Sequence, residues 1–370
     1  YKYVRKDKSS YSVKDDYFGY VPGEGDSYTV RELDTKDDYD LLYIADSYGV
    51  YKDDLTDEVI HGNRSDKIYG GLQKRDIAQI KDAIYKGATL VAEFNTFGSP
   101  TGADVRDELY GILGLRWSGW IGRYFADLSE GGEVPRWAID NYEKQTGGKW
   151  AFHGPGFLFV NDDDYVAVLE DGKDTQGRGS EFVLTEEGQA FVGQSIRARY
   201  NYWFDVIEAG EDSEVLANYE LDLTEAGKQK LTELGIPSTF PAVIKNDVKT
   251  YTSFYFAGDF ADNKEVSGFY QAAWLDRVYA MLARDSGGSQ ESFYWKAYRP
   301  LMKQLLQEIS EKKKQPQVEQ GNAAVATVNG ISIPAKTGGQ YLQVYENGKW
   351  SDMLIKGVNV GMGKPGSFPG

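Results

Sequence analysis

Between Asp40 and Phe94 the chain carries a strand, a helix and a second strand in close succession, and this unit constrains the fold more than any other feature. The run Asp40-Leu41-Leu42-Tyr43-Ile44-Ala45-Asp46 is apolar along its length and closes on a carboxylate, the pattern of a strand covered on both faces. From Leu72 to Gly87 the residues Ile77, Ile80 and Ile84 recur at helical spacing, and the segment stops at a glycine suited to a helix C-terminus. Ala88-Thr89-Leu90-Val91-Ala92-Glu93-Phe94 follows at once as a second apolar run. Two covered strands joined through a helix form a βαβ unit, whose right-handed crossover makes the strands parallel.

Further elements extend this unit. Residues 104–113 read as a helix closed by Gly114, and strand patterns recur at 156–160, 165–169, 213–219, 242–244 and 252–259. Helical patterns follow at 269–283 and 292–312, and the charged, proline-broken stretch from Glu311 to Gly321 is the best candidate linker. The expected organisation is an extended lead-in at 1–38, an α/β domain at 39–312, a linker at 313–322 and a β segment at 323–370. The stretch from Leu115 to Tyr124, rich in Trp and Gly, does not read as a regular element.

Composition narrows the function. A net charge of −16 over 370 residues argues against nucleic acid and anionic membrane surfaces, which would repel such a chain. No apolar stretch approaches the roughly 18 residues of a membrane span, so no membrane insertion is expected. The absence of cysteine removes disulfides, thiolate nucleophiles and cysteine metal sites together. A Tyr-rich, acidic, cysteine-free chain fits a protein outside the cell or on its surface, in a Gram-positive bacterium. No cofactor motif stands up: Gly361-Met362-Gly363-Lys364-Pro365-Gly366 matches the dinucleotide pattern, but Pro365 and Pro369 forbid the helix that must follow. The Asp162-Asp163-Asp164 run and the Asp171-Gly172-Lys173-Asp174 turn look calcium-like, but Lys173 falls where a ligand belongs. His61 and His153 are too few for a metal site, so none is expected.

The order of elements from Asp40 to about Leu306 resembles the class I glutamine-amidotransferase-like fold. The resemblance is carried by Leu41–Asp46, by Lys86-Gly87-Ala88-Thr89-Leu90-Val91-Ala92, by Leu109-Tyr110-Gly111-Ile112-Leu113-Gly114-Leu115 and by Tyr255-Phe256-Ala257-Gly258-Asp259. It implies a flavodoxin-like parallel sheet with flanking helices, in the non-catalytic form appended to carbohydrate-active enzymes. Active members pair a cysteine with a histidine, and this chain has no cysteine, so glutamine hydrolysis by that route is excluded. The closing run Leu354-Ile355-Lys356-Gly357-Val358-Asn359 resembles the first strand of (β/α)8 glycoside hydrolases. There about 250 residues of barrel follow, so the resemblance implies a sugar-processing barrel downstream in a longer parent protein.

Two sets of residues are candidates for a site. Ligands of doubly wound sheets bind at the carboxyl ends of the strands, where Asp46, Glu93 and Asp259 fall, with Asp262 just beyond. Under a glycosidase reading, Glu93 and Asp259 form the acid/base pair; under the plainer reading these carboxylates cap elements or pair with Arg106, Arg123 or Arg277. The second set is Trp117, Trp120, Arg123 and Tyr124, flat faces flanked by hydrogen-bonding groups as sugar rings require. The expected function is carbohydrate binding or assembly, with a polysaccharide or oligosaccharide as partner. The alternatives are a glycoside hydrolase and a structural oligomerisation module.

Overall fold

The computed structural model describes residues 19–24, 27–31, 39–45, 47, 49–52, 65–248, 250–261, 289–314, 324–328, 331–335, 341–346 and 349–354. The chain divides into one unit ending at Ile309 and a second beginning at Ser310.

The first unit opens with two hairpins. Strands β1 (Gly19–Pro22) and β2 (Tyr28–Arg31) form one, and β4 (Gly49–Tyr51) and β5 (Lys67–Gly70) the other. The expected βαβ unit is present. Strand β3 (Leu41–Ile44) pairs in parallel with β6 (Thr89–Glu93), and helix α1 (Lys74–Tyr85) connects them. Helix α1 begins in a capping box between Gln73 and Asp76 and buries Ile77, Ile80, Ala83 and Ile84, which satisfies its first amides and shields its apolar face together. Every residue of β6 is buried, whereas β3 is half-buried because it forms the edge of the sheet. Helix α2 (Ala103–Leu113) ends where Gly114 adopts φ +68° and its amide donates to the Tyr110 carbonyl at 2.9 Å.

The seven-stranded sheet that contains this unit is mixed, which corrects the expectation of a parallel, flavodoxin-like sheet. Its order is β11-β10-β13-β14-β15-β6-β3, built from β10 (Thr175–Leu184), β11 (Arg197–Arg199), β13 (Glu214–Leu223), β14 (Thr239–Asp247) and β15 (Thr252–Phe256). Only β3 with β6 and β6 with β15 run parallel; the remaining four pairings are antiparallel. Chain length explains the pairing of β14 with β15. Parallel neighbours need a crossover of about a dozen residues or more, and β14 turns into β15 across residues 248–251, closed by the Val248 amide on the Tyr251 carbonyl at 3.1 Å.

A second, four-stranded antiparallel sheet has the order β12-β7-β8-β9, with β7 (Leu115–Phe125), β8 (Gly156–Asn161), β9 (Val166–Glu170) and β12 (Phe204–Ala209). The two sheets share one core. Phe204 of β12 lies 5.2 Å from Tyr219 of β13 and 5.6 Å from Phe240 of β14, ring centre to ring centre. Phe157 and Phe159 of β8 join the same cluster. Helix α3 (Arg136–Thr146) covers a smaller core of Phe125, Leu128, Ile139, Trp150, Leu158 and Val168. Two short helices, α4 (Glu186–Val192) and α5 (Glu225–Glu233), begin at Thr185 and Thr224, whose hydroxyls accept from Gly188 and Gly227 amides. The last helix starts at Gln290–Phe293, passes through a π turn at Tyr294–Tyr298 and continues as Arg299–Lys314.

The second unit holds the hairpins β16 (Ala324–Val328) with β17 (Ile331–Ala335) and β18 (Tyr341–Glu346) with β19 (Lys349–Leu354). The helix expected at 269–283 and nearly all of the barrel-like closing run lie outside the described residues. Among the described residues no helix is long and apolar enough to cross a membrane.

Candidate functional site

Glu93 is the last residue of β6, at the carboxyl edge of the parallel part of the sheet. Its side chain is fully buried. The Tyr43 hydroxyl, from neighbouring β3, donates to Oε1, and the Tyr298 hydroxyl lies 2.6 Å from that of Tyr43. Tyr298 reaches inward from the π turn, so three elements meet at one carboxyl group. Oε2 has no hydrogen bond among the described residues. Burial pushes the Glu93 carboxyl up to about 8, and the charge of Asp259 pushes the same way. The Tyr43 and Tyr298 hydroxyls and the Ala261 amide oppose this without cancelling it. Burial also holds both tyrosines well above their ordinary value. At neutral pH the raised value leaves Glu93 an uncharged acid beside two uncharged hydroxyls.

Asp259 lies half-buried beyond β15, its amide donating to the Trp203 carbonyl at 3.3 Å and its carbonyl accepting from Gln290 Nε2 at 3.2 Å. Asp46 and Asp262 lie outside the described residues. A carboxyl protonated at neutral pH beside a second carboxylate is the electronic arrangement of a general acid. A general acid must also touch its substrate, and Glu93 presents no surface.

The aromatic candidates divide. Trp117 and Trp120 lie on β7 and line a surface cleft of about 450 Å³. Arg106 and Tyr110 of α2, Arg116 and Ser118 of β7, Glu208 of β12, and Leu234 with Gly235 after α5 complete its wall. The indoles contribute little surface, at 6% and 8% exposure. The Trp117 N–H donates to the Trp120 carbonyl at 2.8 Å, and the Arg106 guanidinium stands 5.4 Å from the Trp117 ring centre. Arg106 is itself anchored, with Nη1 donating to Asp162 at 2.7 Å and Nε to the Thr101 carbonyl at 3.3 Å.

Arg123 and Tyr124, on the same strand, do not reach the cleft. Arg123 packs against Phe125, Tyr202 and Trp203 and pairs with Glu133. The Tyr124 hydroxyl donates to Asp171 at 2.5 Å, and burial with this bond holds it above its ordinary value. The two calcium-like segments are also engaged: Asp162 pairs with Arg106, and Asp174 is sealed against Lys230 at 2.6 Å. Among the described residues no group of histidines and carboxylates could hold a metal ion.

Of the residues that line the cleft, sequence reasoning singled out only Trp117 and Trp120 as binding candidates and Arg106 as an ion-pair partner. Arg116, Glu208 and Gly235 come from three distant elements, and only the pairing of β7 with β12 sets Glu208 opposite Arg116. It also missed Ser129, whose hydroxyl donates to Asp127 at 2.7 Å and lies 3.1 Å from His153 Nδ1. That trio is not a catalytic triad, because the carboxylate holds the serine rather than orienting the imidazole.

No family model and no curated protein matches this chain. Among solved structures it is similar to a β-galactosidase from Bacillus circulans sp. alkalophilus, at 14% identity and a TM-score of 0.28 over 74% of this chain and 25% of that one. A β-galactosidase from Rahnella sp. R3 matches at 13% identity and a TM-score of 0.28 over 64% of this chain and 21% of that one. An exo-β-1,4-mannosidase from Opitutaceae bacterium strain TAV5 matches at 9% identity and 0.24 over 62% and 24%. The chain spans about a quarter of the length of these glycoside hydrolases. At TM-scores of this size nothing about activity follows from the likeness.

Proposed function

We propose that this chain is a carbohydrate-recognition domain of a larger sugar-processing protein outside the cell, and that it binds glycan in the cleft between α2, β7 and β12 without cleaving it. The cleft carries the reading: about 450 Å³ open to the surface, lined by two arginines, a glutamate, a tyrosine and a serine over tryptophan. A few placed polar groups converging on one open cleft are what a sugar needs, since its hydroxyls demand partners. The test is binding of the whole chain to a panel of soluble polysaccharides, by calorimetry, beside Arg116→Ala. Loss of binding in that variant, with an unchanged melting temperature, supports the cleft; equal binding by both proteins moves recognition elsewhere.

A hydrolase reading is favoured by one observation, the carboxyl of Glu93 pushed up to about 8 with Asp259 nearby. Its full burial weighs against it. The hydrolase reading requires glycan chains to shorten on incubation with the protein and to stop shortening with Glu93→Gln.

A further inference from the structure

Two opposite charges stand side by side in the cleft without pairing. Arg116 of β7 and Glu208 of β12 are register partners on antiparallel strands, which sets their side chains on one face within about 5 Å at Cβ. Both are exposed and both line the cleft. Neither side chain makes a hydrogen bond or an ion pair among the described residues. Their neighbours are engaged: Arg106 holds Asp162 and the Thr101 carbonyl, and the Ser118 hydroxyl donates to the Val206 carbonyl at 2.8 Å. Apart from the half-buried Tyr110 hydroxyl, the free side-chain hydrogen-bonding capacity at this mouth is thus concentrated in one guanidinium, which only donates, and one carboxylate, which only accepts.

Resting on the reading that this cleft binds carbohydrate, we infer that its ligand is a neutral glycan held by a vicinal diol, with Arg116 donating to one hydroxyl oxygen and Glu208 accepting from its neighbour. Each sugar hydroxyl both donates and accepts, so a fixed donor beside a fixed acceptor matches two adjacent hydroxyls. An arginine alone would favour a carboxylate or a sulfate. Glu208 beside it neutralises that preference and repels an anion, so selectivity against acidic sugars is built in by repulsion. The net charge of −16 acts in the same direction on any polyanion.

The experiment compares the whole chain with Arg116→Ala and Glu208→Gln on neutral polysaccharides (galactan, mannan, dextran) and acidic ones (polygalacturonate, alginate). Each glycan is used native and after mild periodate oxidation, which cleaves vicinal diols. The expected result is binding of at least one neutral glycan, little changed between low and high salt and abolished by periodate. Each variant weakens that binding about tenfold or more, the loss of a hydrogen bond to a charged group, and Glu208→Gln gains affinity for an acidic glycan. Preference of the wild-type chain for acidic glycans, or binding that survives periodate, overturns the diol inference while leaving carbohydrate recognition standing. No binding to any of these glycans by a folded chain overturns both.

Discussion

Glu93 holds its proton in the fold up to about pH 8, against an ordinary value of 4.5, and that difference has a thermodynamic sign. Between those values the folded chain keeps the proton and the unfolded chain releases it. Stability therefore falls as pH rises from about 4.5 to about 8 and levels off above, with a slope approaching 1.4 kcal/mol per pH unit, about that of one proton. Urea titrations at pH 5, 6.5, 8 and 9 should show this slope in the wild-type chain and a flat profile in Glu93→Gln; parallel profiles would mean that Glu93 is charged in the fold. Asp174 poses a different problem, because its buried carboxylate depends on one cation. Lys230 supplies it at 2.6 Å from a half-exposed position, whereas Lys228 makes only an exposed pair with Glu225. Removing Lys230 leaves a buried charge unpaired, so Lys230→Ala should cost about 2 kcal/mol or more, and Lys228→Ala under about 0.5 kcal/mol. Equal midpoints in denaturant would contradict this. Glu93 was legible as a candidate because it closes an apolar run, but its role was not, since Tyr298 lies 205 positions further along the chain.

Strand β7 shows how a regular element can hide. Its glycines read as irregularity, yet they are what lets an eleven-residue strand sit between two others. A Cβ on Gly122 would lie 2.7 Å from the Phe204 ring and 2.8 Å from that of Phe159. Gly119 has open space but φ +90°, beside an irregularity where β7 meets β12. The two should fail differently. Gly122→Ala forces apart the aromatic core between the sheets and should cost about 2 to 3 kcal/mol, while Gly119→Ala carries only backbone strain of about 1 kcal/mol. Thermal melts of both variants decide this, and the reverse order would place the strain at the bulge. The seven-stranded sheet matches the parallel expectation only at β3, β6 and β15, for a related reason. Apolar runs give strands, but direction depends on what connects them, and the four residues 248–251 already exclude a crossover between β14 and β15.

Among the described residues Glu93 lies inside the molecule, whereas Arg116 and Glu208 lie at its surface. Trp117 belongs to the interior, buried and hydrogen-bonded through its indole, so Trp117→Ala should cost about 3 kcal/mol or more. It would lower the melting temperature whatever the cleft binds, which makes Arg116 the better probe of recognition. The α/β class and the βαβ unit follow from apolar periodicity, which is local. The cleft draws on four separate stretches of chain, and that juxtaposition is set by strand pairing rather than by any motif.

The decisive measurement is product analysis of a bound neutral glycan after prolonged incubation with the whole chain, run beside Glu93→Gln and Arg116→Ala. Recognition at the cleft predicts that the wild type and Glu93→Gln both bind, that Arg116→Ala does not, and that the glycan keeps its length throughout. Shortened glycan with the wild-type chain and intact glycan with Glu93→Gln would contradict it and make Glu93 the acid of a hydrolase.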